Sequence, residues 1–235
     1  MRCGVPCSVT PLTRPDRLGL WLWWALCLLL ALPALALRNH LAPLDLAVPQ
    51  WAPLDQALVL RPEQGWHQSP WSWWSTAWLH GSTPHLLRNL AGVALLAALG
   101  GLMRPTLSAA LAWGLAWPLT HLGMLLEPGL ASYVGLSGVL HAGVVALALP
   151  AVMPWSRQPP APPRPWDLPL KLCGAALLLG VTLKILMENP WAHALVPSSA
   201  SAINVAPWAH LSGSAAGALS TWMVMGVGWL TRRRH

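Results

Sequence analysis

Charged residues are scarce in this chain of 235 residues, where Asp, Glu, Lys and Arg together make up 9% and phenylalanine is absent. A soluble domain normally carries roughly a quarter charged residues, so a water-facing globular protein is not expected. Apolar residues account for 55%, and several apolar runs reach about 20 residues, the length of a helix that spans a bilayer. The composition therefore indicates an all-α polytopic membrane protein.

The four cysteines include no Cys-x-x-Cys pair, and they indicate neither a disulfide framework nor a metal site. The net charge of +7 is scattered at the ends of the apolar segments. This distribution favours contact with the lipid bilayer over contact with nucleic acid. Neither a cofactor nor a nucleic-acid partner is expected.

Six apolar segments predict six membrane-spanning helices. They are Leu18–Leu37, Pro84–Met103, Leu107–Leu126, Val134–Met153, Leu168–Met187 and Ile203–Leu230. Each of the first five matches the hydrocarbon thickness of a bilayer, and the longer sixth is expected to tilt or protrude. The first segment has an alternative interpretation as a cleaved signal peptide, because Ala34-Leu35-Ala36 is typical of a cleavage site. Its apolar run exceeds the usual signal core, which favours a retained helix.

The chain is expected to divide into a cytoplasmic tail (residues 1–17), a membrane domain (18–230) and a basic cytoplasmic tail (231–235). A cytoplasmic amino terminus puts ten Lys and Arg side chains on the inner side and three on the outer side, as the positive-inside rule requires. Residues 38–83 join the first two spans and carry six tryptophans. We expect this loop to lie in the outer membrane interface, where indole rings are favoured. A flexible linker is the alternative.

Polar residues within the apolar segments fall near the outer ends of three spans. His85 and Asn89 open the second span, Ser137 opens the fourth and His210 opens the sixth. The helix rise puts Asn89 and Ser137 roughly 8–10 Å below the outer face, with His210 in a similar layer. A serine hydroxyl becomes a nucleophile when a base takes its proton, and imidazole is the usual base at neutral pH. The pattern predicts a nucleophilic site that is reached from the outer side.

Small residues follow both the serine and the histidine. Gly138 and Ala142 lie below the serine on the fourth span, and Gly213 and Gly217 lie below the histidine on the sixth. Small residues four apart let two membrane helices approach backbone to backbone. We therefore predict that the fourth and sixth spans are in contact.

These motifs together resemble the rhomboid family of intramembrane serine proteases. The matching pieces are His80, His85-x-x-x-Asn89, Gly135-Leu136-Ser137-Gly138 and Ala209-His210-x-x-Gly213-x-x-x-Gly217. Their order and their positions on the spans fit the family, and the resemblance covers about Trp66 to Leu230. It implies a bundle of six transmembrane helices.

The resemblance also implies roles for the polar residues. Ser137 would be the nucleophile and His210 its base, working as a dyad, and no third acid is expected within reach. His85 and Asn89, which share one helical face, would form the oxyanion hole with the Ser137 backbone N–H. His80 would be a structural hydrogen-bond partner within the loop.

Other motif residues are expected to have structural or accessory roles. These are Gly135, Gly138, Gly213, Gly217 and His141. His141 lies one helical turn below the serine, where it either contacts the site or is an interior histidine with its own partner.

Within the family, the stretch Val134–His141 is similar to the rhombosortase branch. That branch is thought to process proteins that end in a Gly-Gly sorting signal, one transmembrane helix and a basic tail. The resemblance implies membrane-anchored substrates of this kind, in a bacterial inner membrane with the site facing the periplasm. Two residues depart from the pattern. Ala142 stands where the branch is expected to have glycine, and Trp74-Ser75 replaces the Trp-Arg pair usual before the first loop histidine.

Three alternatives stay open. The first is a general rhomboid protease with other transmembrane substrates. The second is a non-catalytic rhomboid-like protein that binds membrane clients, although that class usually lacks the serine or the histidine. The third is a redox or metal protein, which the absence of a His-Glu-x-x-His motif disfavours. Transfer of the acyl group to water or to an amine is also open.

Overall fold

The computed structural model describes residues 14–38, 53–127, 129–153, 167–199 and 203–232. This part of the chain is mostly helical, with one short two-stranded sheet. The helices are α1 (Arg14–Ala36), α2 (Pro53–Leu58), α3 (Ser72–Ser75), α4 (Thr83–Met103), α5 (Leu107–Gly123), α6 (Ser137–Val152), α7 (Asp167–Glu188) and α8 (Pro207–Arg232). The antiparallel strands are β1 (Val196–Ser198) and β2 (Ile203–Val205). Short 3₁₀ turns occupy Pro62–His67, Thr76–Trp78 and Met124–Leu126.

The six long helices α1, α4, α5, α6, α7 and α8 fall on the six predicted spans. Within the described ranges, four helical stretches are long and apolar enough to cross a membrane: Arg17–Ala36, Thr83–Met103, Leu107–Leu126 and Asp167–Glu188. The helix α6 is apolar but shorter. The predicted all-α polytopic membrane fold is confirmed, and the count of six crossings stays a prediction.

Two predicted spans begin later than expected. The fourth was predicted from Val134, but α6 begins at Ser137, so the serine is the first helical residue. The sixth was predicted from Ile203, but Ile203–Val205 pairs with β1 and α8 begins at Pro207. Proline suits the first helical position because its missing N–H has no partner there in any case. A run of apolar residues does not separate a short strand from the helix that follows it.

The ends of α1 and α8 do not coincide with the predicted boundaries of the two tails, and the division of the chain into tails and membrane domain stays a prediction. The helix α1 begins at Arg14, inside the predicted tail 1–17, and α8 continues to Arg232, inside the predicted tail 231–235. Residues 1–13 and 233–235, which make up the rest of these tails, lie outside the described residues. So does the first part of the tryptophan-rich loop, residues 39–52.

Indole rings join the helices of the core. Trp23 on α1 donates a hydrogen bond to the Leu96 carbonyl of α4 at 2.9 Å, and Trp113 on α5 donates to the Val139 carbonyl of α6 at 2.9 Å. The two rings pack with centroids 4.4 Å apart, and both are fully buried. Apolar side chains gain little by leaving lipid for another helix, so packing and interhelical hydrogen bonds of this kind hold such bundles together.

The helices α6 and α8 touch backbone to backbone. A Cβ atom at Gly138 would lie 2.7 Å from the Ala209 carbonyl oxygen, and one at Gly217 would lie 2.6 Å from that of Ala142. A Cβ atom at Gly213 would overlap the Gly138 carbonyl. The predicted contact between the fourth and sixth spans through small residues is confirmed, and it brings the start of α6 to the start of α8.

Residues 53–83 of the tryptophan-rich loop are folded against the bundle. Trp117 on α5 donates to the Trp74 carbonyl at 3.1 Å, and His121 donates to the Trp73 carbonyl at 2.5 Å. Trp78 donates to a carbonyl of α1 at 3.1 Å. Over this range the flexible-linker alternative is wrong, while the placement of the loop in the outer interface stays a prediction.

Candidate active site

Ser137 lies at the amino-terminal end of α6, where backbone N–H groups have no partner within the helix and the helix dipole is positive. Its side chain is half-buried. Two residues earlier, Gly135 has φ +123°, a backbone conformation that residues other than glycine rarely adopt. This glycine turns the chain into the helix and presents the serine at its first position.

The segment that leads into Ser137 is held by the tryptophan-rich loop. The backbone N–H of Tyr133 donates to the Leu60 carbonyl at 2.8 Å, and that of Gly135 donates to the Thr76 carbonyl at 3.0 Å. The Thr76 hydroxyl donates to the Tyr133 carbonyl and accepts from the Leu60 N–H. Every one of these groups is buried. The loop therefore fixes the backbone immediately before the serine, a role that the sequence did not predict.

The loop is anchored without the Trp-Arg pair that rhomboid sequences usually carry. In its place the Ser75 hydroxyl lies 2.9 Å from the Leu58 carbonyl oxygen and 2.8 Å from that of Trp71. These contacts tie α3 to α2. The short, buried side chain of Ser75 thus holds these two helices of the loop together.

Tyr133 is a neighbour of Ser137 that the sequence reading missed. Its hydroxyl donates to the Gly135 carbonyl at 3.2 Å and lies within hydrogen-bonding reach of the Ser137 side chain. Burial raises the pKa of this phenol, so the group stays neutral and acts as a hydrogen-bond donor. Tyr133 is the only tyrosine of the chain and lies four residues before the serine. Its rarity and this short separation are the features of the sequence that could have identified it.

His85 and Asn89 lie side by side over the turn before Ser137. They occupy the first turns of α4, whose amino-terminal cap is the Ser82 hydroxyl, accepting from the His85 N–H at 3.1 Å. A Cβ atom at Gly135 would lie 2.7 Å from His85 Cε1 and 3.6 Å from Asn89 Nδ2. The absence of a side chain at this glycine lets both polar groups approach the backbone that leads to the serine.

Two nitrogens of this pair have no hydrogen-bond partner among the described residues. They are His85 Nδ1 and Asn89 Nδ2, and both are buried. Buried polar atoms are nearly always paired, since an unpaired one costs about 1–3 kcal/mol. Polar side chains with hydrogen-bonding capacity left over, placed beside the start of a helix, are a feature of sites that bind a developing negative charge.

His80 packs against His85 from the side of the loop. The ring centroids are 5.0 Å apart in an edge-to-face arrangement, and His80 Nδ1 donates to the Trp78 carbonyl at 3.2 Å. Burial, assisted by the neighbouring His85, lowers the pKa of His80 from 6.5 to about 3. The His80 ring is therefore neutral over the physiological range and supports the ring of His85.

His210 lies in the first turn of α8 and is buried. Its Nδ1 atom lies 2.5 Å from an Oε2 oxygen of Glu188, the last residue of α7. The expectation that no acid would be within reach of this histidine is therefore wrong. Residues 189–209 separate the two in the sequence, and their meeting depends on how the end of α7 packs against the start of α8, which apolar patterns do not report.

His141 connects the serine to the histidine. Its Nδ1 donates to the Ser137 carbonyl at 2.7 Å, and its ring stacks on His210 with centroids 4.2 Å apart and planes at 20°. The structure gives His141 both features left open by the sequence, a hydrogen-bond partner within its own helix and a contact with His210, so its accessory role stays a prediction. No hydrogen bond joins the Ser137 hydroxyl directly to His210, as is common in catalytic sites without substrate. The described residues contain no group of three His, Cys, Asp or Glu side chains that could hold a metal ion.

A helical membrane bundle that gathers a serine, a fixed histidine and unpaired donors at helix ends defines a membrane protein with a candidate acyl-transfer site. The Rhomboid domain model matches residues 67–227, well over half of the chain, and the chain belongs to the rhomboid family. This is a family of intramembrane proteases that act on membrane proteins. No curated protein and no solved structure matches the chain.

Proposed function

We propose that this protein is an intramembrane serine endopeptidase in which Ser137 is the nucleophile and His210 the general base. The observation that carries the proposal is a pair of buried side chains, His85 and Asn89, which pack on Gly135 just before Ser137 and whose Nδ1 and Nδ2 atoms have no hydrogen-bond partner among the described residues. An oxyanion that forms next to Ser137 would satisfy them.

In the proposed mechanism, Nε2 of His210 accepts the Ser137 proton as the serine oxygen attacks the peptide carbonyl. The carbonyl oxygen becomes an oxyanion and receives hydrogen bonds from the Ser137 backbone N–H, Asn89 and His85. The imidazolium then gives its proton to the leaving amine, and the acyl-enzyme remains. Water, or an amine, attacks this ester and releases the acyl group. Each oxyanion donor of this kind contributes about 10²–10³-fold to the rate.

The arrangement of His210 supports its role as the base. Its Nδ1 edge faces Glu188 and one ring face is covered by His141, so Nε2 is the edge left for a proton from the serine. The backbone contact of Gly138 with Ala209 keeps the residues next to Ser137 and His210 together.

We propose the rhombosortase-like specificity as the narrower form of this function. The substrates would be membrane-anchored proteins with a C-terminal Gly-Gly signal, and the support is the stretch Val134–His141. The positive-inside distribution of Lys and Arg supports cytoplasmic termini and an active site that faces the periplasm of a bacterial inner membrane.

Labelling of the purified protein with a fluorophosphonate probe tests the nucleophile. We expect labelling of the wild type and none of Ser137→Ala or His210→Ala. Ser220→Ala is the control, since this buried serine has no hydrogen-bond partner among the described residues and lies far along α8 from His210. Labelling that persists in Ser137→Ala would overturn the proposed mechanism.

Co-expression with a Gly-Gly-tailed substrate tests the specificity. We expect cleavage of this substrate and none of a version with Gly-Gly replaced by a bulky pair. Cleavage of both versions would indicate a general rhomboid protease. Binding of the substrate by wild type and Ser137→Ala alike, without cleavage, would indicate a client-binding protein.

A further inference from the structure

Glu188 is held at a position that is electrostatically unfavourable for a carboxylate. The helix α7 ends at this residue because Asn189 adopts a left-handed conformation (φ 48°) and Pro190 follows. The carboxyl end of a helix carries a partial negative charge, which disfavours an acidic side chain there. A carboxylate at this point requires cationic or hydrogen-bond-donating partners.

Both oxygens of the Glu188 carboxylate are engaged. One oxygen pairs with Lys184 Nζ, one turn earlier on α7, and the other lies 2.5 Å from His210 Nδ1. The Glu188 side chain is 22% exposed and that of His210 only 7%. The two contacts fix the orientation of the carboxylate towards a buried imidazole on another helix.

The groups that face His210 come from three helices. Glu188 and Lys184 belong to α7, His141 stacks on the ring from α6, and His85 on α4 interacts with it electrostatically. Glu188 is the one anion in this set. A carboxylate against Nδ1 favours the tautomer that carries its proton on Nδ1, which leaves Nε2 as the proton acceptor.

We propose that Glu188 is a positioning residue for the reaction, so that the site works as a Ser137–His210–Glu188 triad. This inference rests on the proposed function and replaces its dyad by a triad. Glu188 holds the His210 ring in orientation and in the Nδ1–H tautomer. When Nε2 takes the serine proton, Nδ1 keeps its own proton, Glu188 stays ionised, and the new imidazolium is stabilised by the adjacent charge.

A purely structural role does not account for the contact with His210. The pairing of Lys184 with Glu188 places the acidic residue carboxyl-terminal to the basic one, the less favourable order for an i, i+4 pair. Exposed pairs of this kind contribute little to stability, and Lys184 is 46% exposed. Such a pair also does not require a second contact with a residue on α8.

The rate of fluorophosphonate acylation of the full-length protein in detergent tests the inference. Glu188→Gln keeps the shape of the side chain, but with its amide oxygen held by Lys184 its NH₂ group donates to Nδ1 and favours the wrong tautomer. We expect a loss of about 10²–10⁴-fold in acylation rate, as for the loss of the third residue in other triads, with the affinity for the probe unchanged. We expect Glu188→Asp to recover part of this loss.

Two further variants separate positioning from structure. Glu127→Gln changes a glutamate at the same end of the bundle, next to the turn that closes α5, and is expected to acylate at the wild-type rate. Lys184→Met removes the ion pair within α7 and is expected to cost far less than Glu188→Gln. Equal losses in Lys184→Met and Glu188→Gln would overturn the inference, because the ion pair would then be the source of the effect.

Nitrogen NMR of ¹⁵N-labelled histidine, with the His210 signal assigned by its loss in His210→Ala, gives a readout that does not need activity. We expect the Nδ1–H tautomer in the wild type and its loss in Glu188→Gln. The same tautomer in both would overturn the inference. A wild type that is not acylated at Ser137 would refute the proposed function, whereas wild-type acylation that is unchanged in Glu188→Gln would refute the triad alone.

Discussion

The contact between α6 and α8 depends on Gly213, and Gly213→Ala tests this dependence. A Cβ atom at this position would overlap the carbonyl oxygen of Gly138. The obstructing atom belongs to the backbone and cannot rotate away, so α8 must move from α6. Because Gly138 follows Ser137 and Gly213 lies one turn after His210, this movement separates the nucleophile from its base.

The magnitudes predict a larger effect on activity than on stability. Overpacking of this kind costs about 1–3 kcal/mol, and alanine recovers about 1 kcal/mol of it through its higher helix propensity. The net free energy of unfolding should therefore fall by roughly 2 kcal/mol or less. A displacement of about 1 Å at a catalytic group can cost about 10²-fold in rate.

Acylation rate and thermal unfolding in detergent, measured on the same samples, separate the two effects. Gly226→Ala is the matched control on the same helix, because a Cβ atom there would contact no neighbouring segment within 4 Å in the part of the chain that the structure describes. We expect the control to acylate at the wild-type rate and Gly213→Ala to acylate about 10²-fold more slowly while remaining folded. Wild-type acylation and unchanged unfolding in Gly213→Ala would refute the close helix contact.

Three further outcomes are expected. Asn89→Ala should slow acylation by about 10²–10³-fold without weakening probe binding, and a wild-type rate would remove this residue from the oxyanion hole. Thr76→Val should lower the free energy of unfolding by about 1–3 kcal/mol, because the Tyr133 carbonyl and the Leu60 N–H both lose the hydroxyl as a hydrogen-bond partner. A denaturant titration measures this change, and an unchanged free energy of unfolding would contradict the anchoring role of the loop. The pKa of His80 falls from 6.5 to about 3 on folding, so the folded state binds fewer protons between these values. Stability should be full above pH 6.5 and fall by up to about 1.4 kcal/mol per pH unit below it, and His80→Gln should flatten the curve of unfolding free energy against pH.

The helices could be predicted because lipid imposes a simple requirement on sequence. A segment such as Leu107–Leu126 must be apolar over a bilayer's thickness, and this length is visible without knowledge of its neighbours. The contact of α6 with α8 was also predictable, since Gly213 and Gly217 leave a face on which only another backbone packs well. The length of an apolar segment and the spacing of small residues are both local patterns of the sequence, and each has one physical cause.

The remaining features depend on contacts between distant segments. Thr76 reaches Tyr133 across 57 residues, and no pattern in either segment indicates the other. Glu188 follows the last apolar turn of the fifth span, where an acidic residue is easily interpreted as a solvated helix end. Its partnership with His210 is set by the loop and hairpin that return the chain to α8. Such pairings follow from tertiary packing.

Three polar groups of the candidate site, Ser137, His210 and Glu188, lie at helix ends, and this arrangement favours the proposed chemistry. Ser137 begins α6, where the positive end of the helix dipole favours a nascent oxyanion. Glu188 ends α7, where the helix dipole disfavours its charge in the resting protein. When His210 takes the serine proton, the imidazolium adds a second positive charge, beside that of Lys184, next to the Glu188 carboxylate. The interaction is therefore stronger in the transition state than before it, which is the condition for an interaction to accelerate a reaction.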